Sequence, residues 1–161
     1  MNPVLYWNAV LLEASRRDFT RGYTNAQQSG PIRTSRAMAI VHLAIHDAVA
    51  FRQNRDAAYL EKKSVVHGIG PVNGNVEDII AGAAVTTLKA LYPRFAAFID
   101  DSIESVGTAA FNAGAAIGNA ILTHRNTDGW DAPLNGGQAM SPEYGEHRAD
   151  PFAPGQSQLG P

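Results

Sequence analysis

A segment that is apolar on almost every side, residues 35–51 with the sequence SRAMAIVHLAIHDAVAF, most constrains the fold of this chain. A helix on the outside of a protein keeps one broad polar face, whereas a helix that is apolar all round is surrounded by others. The segment lacks such a face, although it contains His42, His46 and Asp47. We therefore expect it to form the central helix of an all-α helical bundle.

Capping residues and helical apolar periods predict four more helices around the central one. Asn2 with Pro3, then Ser35, then Asn75 are typical helix openings, because such side chains accept the unpaired backbone N–H groups of a first turn. Pro93 blocks continuation of the third helix. The predicted helices cover residues 3–19, 35–52, 76–92, 94–106 and 108–125.

The last predicted helix is rich in small residues. Gly114 and Gly118 each cost about 1 kcal/mol of intrinsic helix stability relative to alanine. Such a cost is tolerated where two backbones approach closely, so we expect this helix to pack through a face of small residues. That face comprises Ala113, Gly114, Ala116 and Gly118.

The helical pattern stops after residue 127. Residues 128–161 contain turn-forming glycine and proline throughout and show no convincing apolar period. We predict a helical bundle over residues 1–127 and a long irregular tail, or a connection toward a missing carboxyl-terminal catalytic half, over residues 128–161. The aromatic residues expected to anchor this tail on an apolar surface are Trp130, Tyr144 and Phe152.

The composition excludes several classes of function. The chain has 161 residues, of which 45% are hydrophobic and 17% charged, with a net charge of −2 and no cysteine. This balance provides no basic surface for nucleic acid, and the missing thiols exclude disulfides and cysteine nucleophiles. Because there is no signal peptide and no apolar run near the ~20 residues of a membrane span, we expect a soluble protein, in an unknown compartment.

The four-residue spacing of His42 and His46 stacks two imidazoles on one face of a helix, as in helical zinc sites. Two features weaken a metal interpretation: no glutamate lies inside the pair, and Asp47 is rotated by about 100° from His46. We favour internal polar struts, in which the histidines hydrogen-bond inside the bundle and Asp47 accepts an arginine or a backbone donor. The arginine candidates are Arg16, Arg17, Arg33 and Arg36. We predict no metal at His42 and His46.

Other catalytic patterns are weak. No Gly-x-Ser-x-Gly elbow accompanies the loop histidines, no Walker lysine motif is present, and GIGPVNG lacks the strand–turn–helix context of a phosphate loop. The acidic tail also lacks the EF-hand spacing. The residues that such sites would use are His67, His124 and His147 for a hydrolase, and Glu143, Glu146, His147 and Asp150 for calcium or magnesium.

Three tracts, VLYWNAVLLEASRRD, GPIRTSRAMAIVHLAIHDAVAF and AGAAVTTLKALYP, together resemble the amino-terminal half of vanadium-dependent haloperoxidases and their relatives in the type 2 phosphatidic acid phosphatase superfamily. The tract from Gly30 to Phe51 is the most specific, and HRNTDGWD supports it. The resemblance covers nearly the whole chain. It implies an all-helical fold in which a separate carboxyl-terminal bundle binds vanadate.

The vanadate-binding motifs of that family do not occur in this sequence. The family pattern has a lysine and arginine motif, a Pro-Ser-Gly-His segment, and a later arginine and histidine motif whose last histidine ligates vanadium. Here Pro-Ser-Gly-His is missing, and Lys62 and Lys63 are not followed by Arg-Pro. The resemblance therefore implies no catalytic and no cofactor-binding residue in this chain, and vanadate only in the complete protein.

Three functions follow as expectations. The first is the amino-terminal structural portion of a peroxidase that oxidises halide with hydrogen peroxide, inactive alone and paired with its carboxyl-terminal half. The second is a relative of acid phosphatases, since vanadate and phosphate share shape and charge. The third is a noncatalytic helical module that assembles with another copy of itself or with another chain.

Overall fold

The structure, a computed structural model, describes residues 1–20, 26–60 and 68–130. Residue contacts divide the chain into two units, Met1–Asp128 and Gly129–Pro161. The predicted boundary after residue 127 stays a prediction. Several predictions fall on residues outside the described ranges, namely the irregular tail beyond residue 130, the anchoring role of Tyr144 and Phe152, the cation site at Glu143, Glu146, His147 and Asp150, and the hydrolase histidines His67 and His147.

Five α-helices make up the bundle in the described part of Met1–Asp128, and no strand occurs within those ranges. The predicted all-α class is confirmed. Two single-turn 3-10 helices, Arg55–Ala57 and Pro93–Phe95, follow the second and third α-helices. The α-helices are α1 at Pro3–Asp18, α2 at Gly30–Gln53, α3 at Val76–Leu91, α4 at Ala96–Asp101 and α5 at Thr108–Arg125.

The predicted caps of α1 and α3 are confirmed. The Asn2 side chain accepts the Val4 N–H at 2.9 Å, and the Asn75 side chain accepts the Asp78 N–H at 2.8 Å. Each bond satisfies a first-turn donor that has no partner inside its own helix. These two caps fix where α1 and α3 begin.

The predicted start of α2 at Ser35 is wrong. The helix begins at Gly30, with Ser29 at its N-cap and a proline in its first turn. Proline has a preset φ that suits this position, so the sequence GPIRT forms the first helical turn instead of a loop. Ser35 lies inside the helix, where its hydroxyl donates to the Ile32 carbonyl oxygen at 3.0 Å.

The fourth helix is shorter than the predicted range of residues 94–106. Its first turn is the 3-10 helix Pro93–Phe95, and α4 ends at Asp101. Two adjacent carboxylates, Asp100 and Asp101, close the helix, and negative charge at a helix C-terminus is unfavourable to the helix dipole. This charge gives a physical reason for the early end.

The apolar segment predicted α2 as the central helix, and this prediction is wrong. The central helix is α3. In the described part of the bundle α3 packs against each of the other four α-helices, whereas α2 packs mainly on α1, α3 and α5. Burial in α3 is unbroken from Asp78 to Val85. Small side chains in this stretch let neighbouring backbones approach from several sides, while Met38 and Leu43 of α2 remain partly exposed.

The closest helix crossing in the bundle joins α3 and α5 through two glycines. A Cβ added at Gly114 would fall against the Ile79 carbonyl oxygen, and one added at Gly82 would fall against the Phe111 carbonyl oxygen. Both contacts lie far inside normal van der Waals separation. Glycine is therefore required at both positions, because only a residue without a side chain allows this approach.

The predicted face of small residues on α5 is confirmed in part. A Cβ at Gly118 would lie 3.0 Å from the Ala83 carbonyl oxygen, and Ala113 is buried. Ala116, however, is exposed and does not belong to the crossing.

Among the described helices, none combines the length and the apolar character that crossing a membrane would need.

Candidate functional site

Asp47 is a fully buried carboxylate in α2 that holds the segment following the helix. Its Oδ1 accepts the Tyr59 N–H at 2.6 Å, and its Oδ2 accepts the Leu60 N–H at 3.0 Å. Hydrogen bonds to an ionised acceptor are stronger than bonds between neutral groups. Of the two predicted kinds of donor to Asp47, the backbone donor is thus the one that the structure contains.

The arginines proposed for Asp47 form other contacts. Arg16 and Arg17 both donate to Glu13, at 2.6 and 2.8 Å, and these bonds lower the pKa of Glu13 to about 2. Arg36 donates to Asp128 at 2.9 Å. These arginines therefore do not supply the neutralising partner that the sequence suggested.

Two further buried aspartates hold loops in the same way as Asp47. Asp18 accepts the backbone N–H groups of Gln27 and Gln28 at 2.9 and 2.8 Å, and Asp78 accepts the Gly107 N–H at 3.0 Å. Sequence reasoning missed both. The signal for Asp18 was its place at the C-terminal end of α1, where a carboxylate opposes the helix dipole unless it has other donors.

His42 and His46 have different surroundings. His42 Nε2 lies 3.0 Å from the Asn8 Oδ1 of α1, and the residue is half-buried. His46 Nδ1 lies 3.1 Å from the Asp47 Oδ1, but the His46 side chain is 56% exposed. The prediction of an internal strut is therefore wrong for His46, because this position of α2 faces away from the core.

His124, one of the predicted loop histidines, lies in the last turn of α5. Its Nε2 is 3.3 Å from the Tyr59 hydroxyl, and the two ring centroids are 5.6 Å apart. The backbone N–H of Tyr59 also binds Asp47. Tyr59, in the segment that follows α2, therefore contacts both α2 and α5.

We expect no stoichiometric zinc or iron on the purified chain after dialysis. Within the described ranges, no group of three or more His, Cys, Asp or Glu is placed to hold a metal ion. His42 and His46 also meet different partners, an amide oxygen and a carboxylate. Elemental analysis measures this, with His46→Ala as the comparison. One tightly held metal per chain that disappears in His46→Ala would contradict the expectation.

The described residues do not fit an oxyanion such as vanadate. A site of that kind gathers several cationic donors around the oxyanion. Arg36 and Arg125 do converge, but they converge on the Asp128 carboxylate, at 2.9 and 3.0 Å. His46 likewise lies beside the Asp47 carboxylate. Negative charge at both places repels an oxyanion, so these arrangements stabilise the fold instead.

The chain matches a protein-family model that is described as the vanadium chloroperoxidase N-terminal domain. The match covers residues 1–140 and thus includes all five α-helices. No curated protein and no solved structure matches the chain. The resemblance of the three sequence tracts to the amino-terminal half of vanadium-dependent haloperoxidases is confirmed. The chain belongs to the vanadium chloroperoxidase N-terminal domain family.

Proposed function

We propose that this chain is the amino-terminal structural portion of a vanadate-dependent haloperoxidase-like protein, and that it supports a carboxyl-terminal catalytic half. The family match over residues 1–140 carries the proposal. Two observations support the structural role. The sequence lacks the vanadate-binding motifs, and the arginine pairs of the described residues are engaged by carboxylates: Arg16 and Arg17 by Glu13, and Arg36 and Arg125 by Asp128. Vanadate, hydrogen peroxide and halide then belong to the complete protein.

A row of exposed apolar side chains along α1 and at its C-cap is the surface on which we place the catalytic half. Leu5, Leu12 and Phe19 are 64%, 49% and 53% exposed. They are spaced seven residues apart, so they deviate from one line along the helix by only about 20° per step. Single apolar residues at a surface are ordinary, but three that lie along one side of a helix support contact with another surface. We call these three residues the α1 row.

The chain alone is expected to show no vanadate-dependent bromide oxidation, even with saturating vanadate and peroxide. Activation of bound peroxide needs preorganised cationic donors, and the described residues do not assemble them. Bromination of a reporter dye measures the activity. The same assay on the chain mixed with a carboxyl-terminal fragment of a family member is the positive control. Dye bromination by the pure 161-residue chain would contradict the proposal.

The mixed sample also tests the α1 row. Sedimentation should show a complex of the two fragments, and Leu12→Glu should weaken it by about tenfold or more, because it places a charge inside an apolar contact. Ile32→Glu is the matched control, since Ile32 is 45% exposed but lies on α2. A chain that stays monomeric in the presence of the fragment overturns the docking proposal.

Two other outcomes decide between the remaining functions. Self-association through the α1 row, without any response to the fragment, would favour the noncatalytic assembly module. Hydrolysis of an aryl phosphate by the complete protein, without halide oxidation, would favour the acid phosphatase alternative.

A further inference from the structure

A cavity of about 230 Å³ opens between the N-terminal ends of α1 and α3 and the segment that joins α4 to α5. Two aromatic residues, Tyr6 and Trp7, form part of its wall. Three carboxylates, from Glu77, Asp78 and Glu104, also line it. The cavity does not include His42, His46 or Asp47, so it is separate from the α2 residues discussed above.

The side-chain charge around this cavity is negative. Its lining contains no lysine or arginine, and in the described part of the bundle none of the three carboxylates forms an ion pair. The N-termini of α1 and α3 contribute only about half a positive charge each. Met1 reaches the rim but is 97% exposed, so it lies mostly in water. A cation is the ligand that this field favours.

An unpartnered donor also opens into the cavity. Trp7 is only 3% exposed, and its indole N–H makes no hydrogen bond in the described residues. Yet the indole N–H is not sealed off from solvent. Because Trp7 borders the cavity and its N–H is not sealed from solvent, we infer that the N–H is reached from the cavity. A buried indole N–H ordinarily has an acceptor.

An unpartnered acceptor lies in the same wall. Asp78 is 9% exposed and uses its Oδ2 to accept the Gly107 N–H at 3.0 Å. Its Oδ1 accepts no hydrogen bond from the described residues. The cavity therefore presents a free acceptor and a free donor together, beside two exposed carboxylates.

The aromatic wall is held in a fixed orientation. The Tyr6 hydroxyl donates to the Ser102 carbonyl oxygen at 2.6 Å, which ties α1 to the end of α4. The Tyr6 and Trp7 rings stand almost perpendicular, at 85°, with their centroids 5.3 Å apart. A preformed aromatic wall with convergent polar groups is typical of small-molecule sites, and aromatic faces attract ammonium groups.

We propose that this cavity binds a small organic amine that carries a hydrogen-bond acceptor away from its ammonium group. The ammonium donates to the Asp78 Oδ1 and lies in the field of Glu77 and Glu104. The hydrogen-bond acceptor of the ligand accepts a hydrogen bond from the Trp7 indole N–H. A bare metal ion is not the ligand, because the described acidic residues include no group of three placed to coordinate one. The volume is below the ~300–1,000 Å³ of sites for drug-sized ligands, so the amine is small.

Tyramine is the probe, since a two-carbon chain carries its ammonium on an aromatic ring whose opposite position bears a phenol oxygen. Calorimetry gives its affinity, and the indole N–H resonances of a 15N-labelled chain report its position. Trp130→Phe removes the second indole resonance and so assigns the first to Trp7. Tyrosol, which has a hydroxyl in place of the ammonium, is the neutral control ligand.

We expect saturable binding of tyramine with a shift of the Trp7 resonance, and binding of tyrosol about tenfold weaker or more. Glu77→Gln and Glu104→Gln should each weaken tyramine several-fold, because each removes one unpaired charge without deleting a bonded group. Asp101→Asn, an exposed acid outside the cavity, should leave the affinity unchanged. Circular dichroism checks that every variant is folded.

Three results would overturn the proposal. The first is no saturable shift of the Trp7 resonance at about 10 mM tyramine, a concentration that would reveal even millimolar affinity. The second is equal affinity for tyramine and tyrosol. The third is unchanged tyramine affinity in a folded variant that carries both Glu77→Gln and Glu104→Gln.

Discussion

Gly114→Ala is expected to lower the free energy of unfolding by about 3 kcal/mol, at the upper end for overpacking of a core. The added Cβ would fall against the Ile79 carbonyl oxygen and 2.9 Å from the Ala83 backbone nitrogen. Both neighbours are backbone atoms of α3, so relief requires a shift of a helix instead of a side-chain rotation. Helix propensity alone predicts the opposite sign, a gain of about 1 kcal/mol. The sign of the change in the free energy of unfolding therefore tests the close crossing of α3 and α5.

Urea unfolding followed by circular dichroism measures this effect, with two further Gly→Ala variants as a graded series. Gly70→Ala is the matched control, since a Cβ there would meet nothing within 4 Å. Gly118→Ala should lie between the two, because its Cβ would be 3.0 Å from the Ala83 carbonyl oxygen and 3.1 Å from the Thr86 Cβ. A Gly114→Ala chain as stable as Gly70→Ala would contradict the close crossing of α3 and α5.

The glycine crossing also indicates how far sequence reasoning reaches in this fold. The range of α5, residues 108–125, agrees with its prediction, and the expected role of Gly114 was correct. Gly82, its counterpart on α3, was missed. A small residue contributes little to an apolar period, so its importance is apparent only when the opposite helix is known.

The wrong choice of central helix has the same cause. Residues 35–51 were expected at the centre because large apolar side chains occur on every side of that helix. Apolarity, however, measures what a side chain prefers and not how many neighbours can reach it. The small residues of α3 let four helices approach, while Met38 and Leu43 of α2 stay partly exposed.

Burial of the α2 polar residues was predicted only in part. Asp47 was correctly placed inside, but its two donors come from residues twelve and thirteen positions later, after the chain has turned back. Helical periodicity carries no information about that return. His46 was expected inside, yet it is adjacent to Asp47 and so points about 100° away around the helix.

Asp47→Ala is expected to lower the free energy of unfolding by about 3 kcal/mol or more. The change removes two backbone hydrogen bonds to an ionised acceptor, from the Tyr59 and Leu60 N–H groups, and a hydrogen bond to a charged group is worth about 1.5–3 kcal/mol. Asp47→Asn should cost less, since one amide oxygen still accepts a bond. Its NH2 group, however, would face a second N–H donor. Urea unfolding gives both values, with Asp101→Asn, an exposed acid, as the control within about 0.5 kcal/mol.

Amide hydrogen exchange connects this loss to the segment that Asp47 holds. If the carboxylate fixes the turn, the Tyr59 and Leu60 amides lose protection in Asp47→Ala before the core of α3 does, because the segment can open locally.

His46→Ala tests whether the contact between His46 and Asp47 contributes to this stability. His46 is 56% exposed and contributes one contact at 3.1 Å to Asp47, so its removal should change stability by no more than about 0.5 kcal/mol. Equal losses in the two variants would mean that the pair, and not the backbone donors, accounts for the burial of Asp47.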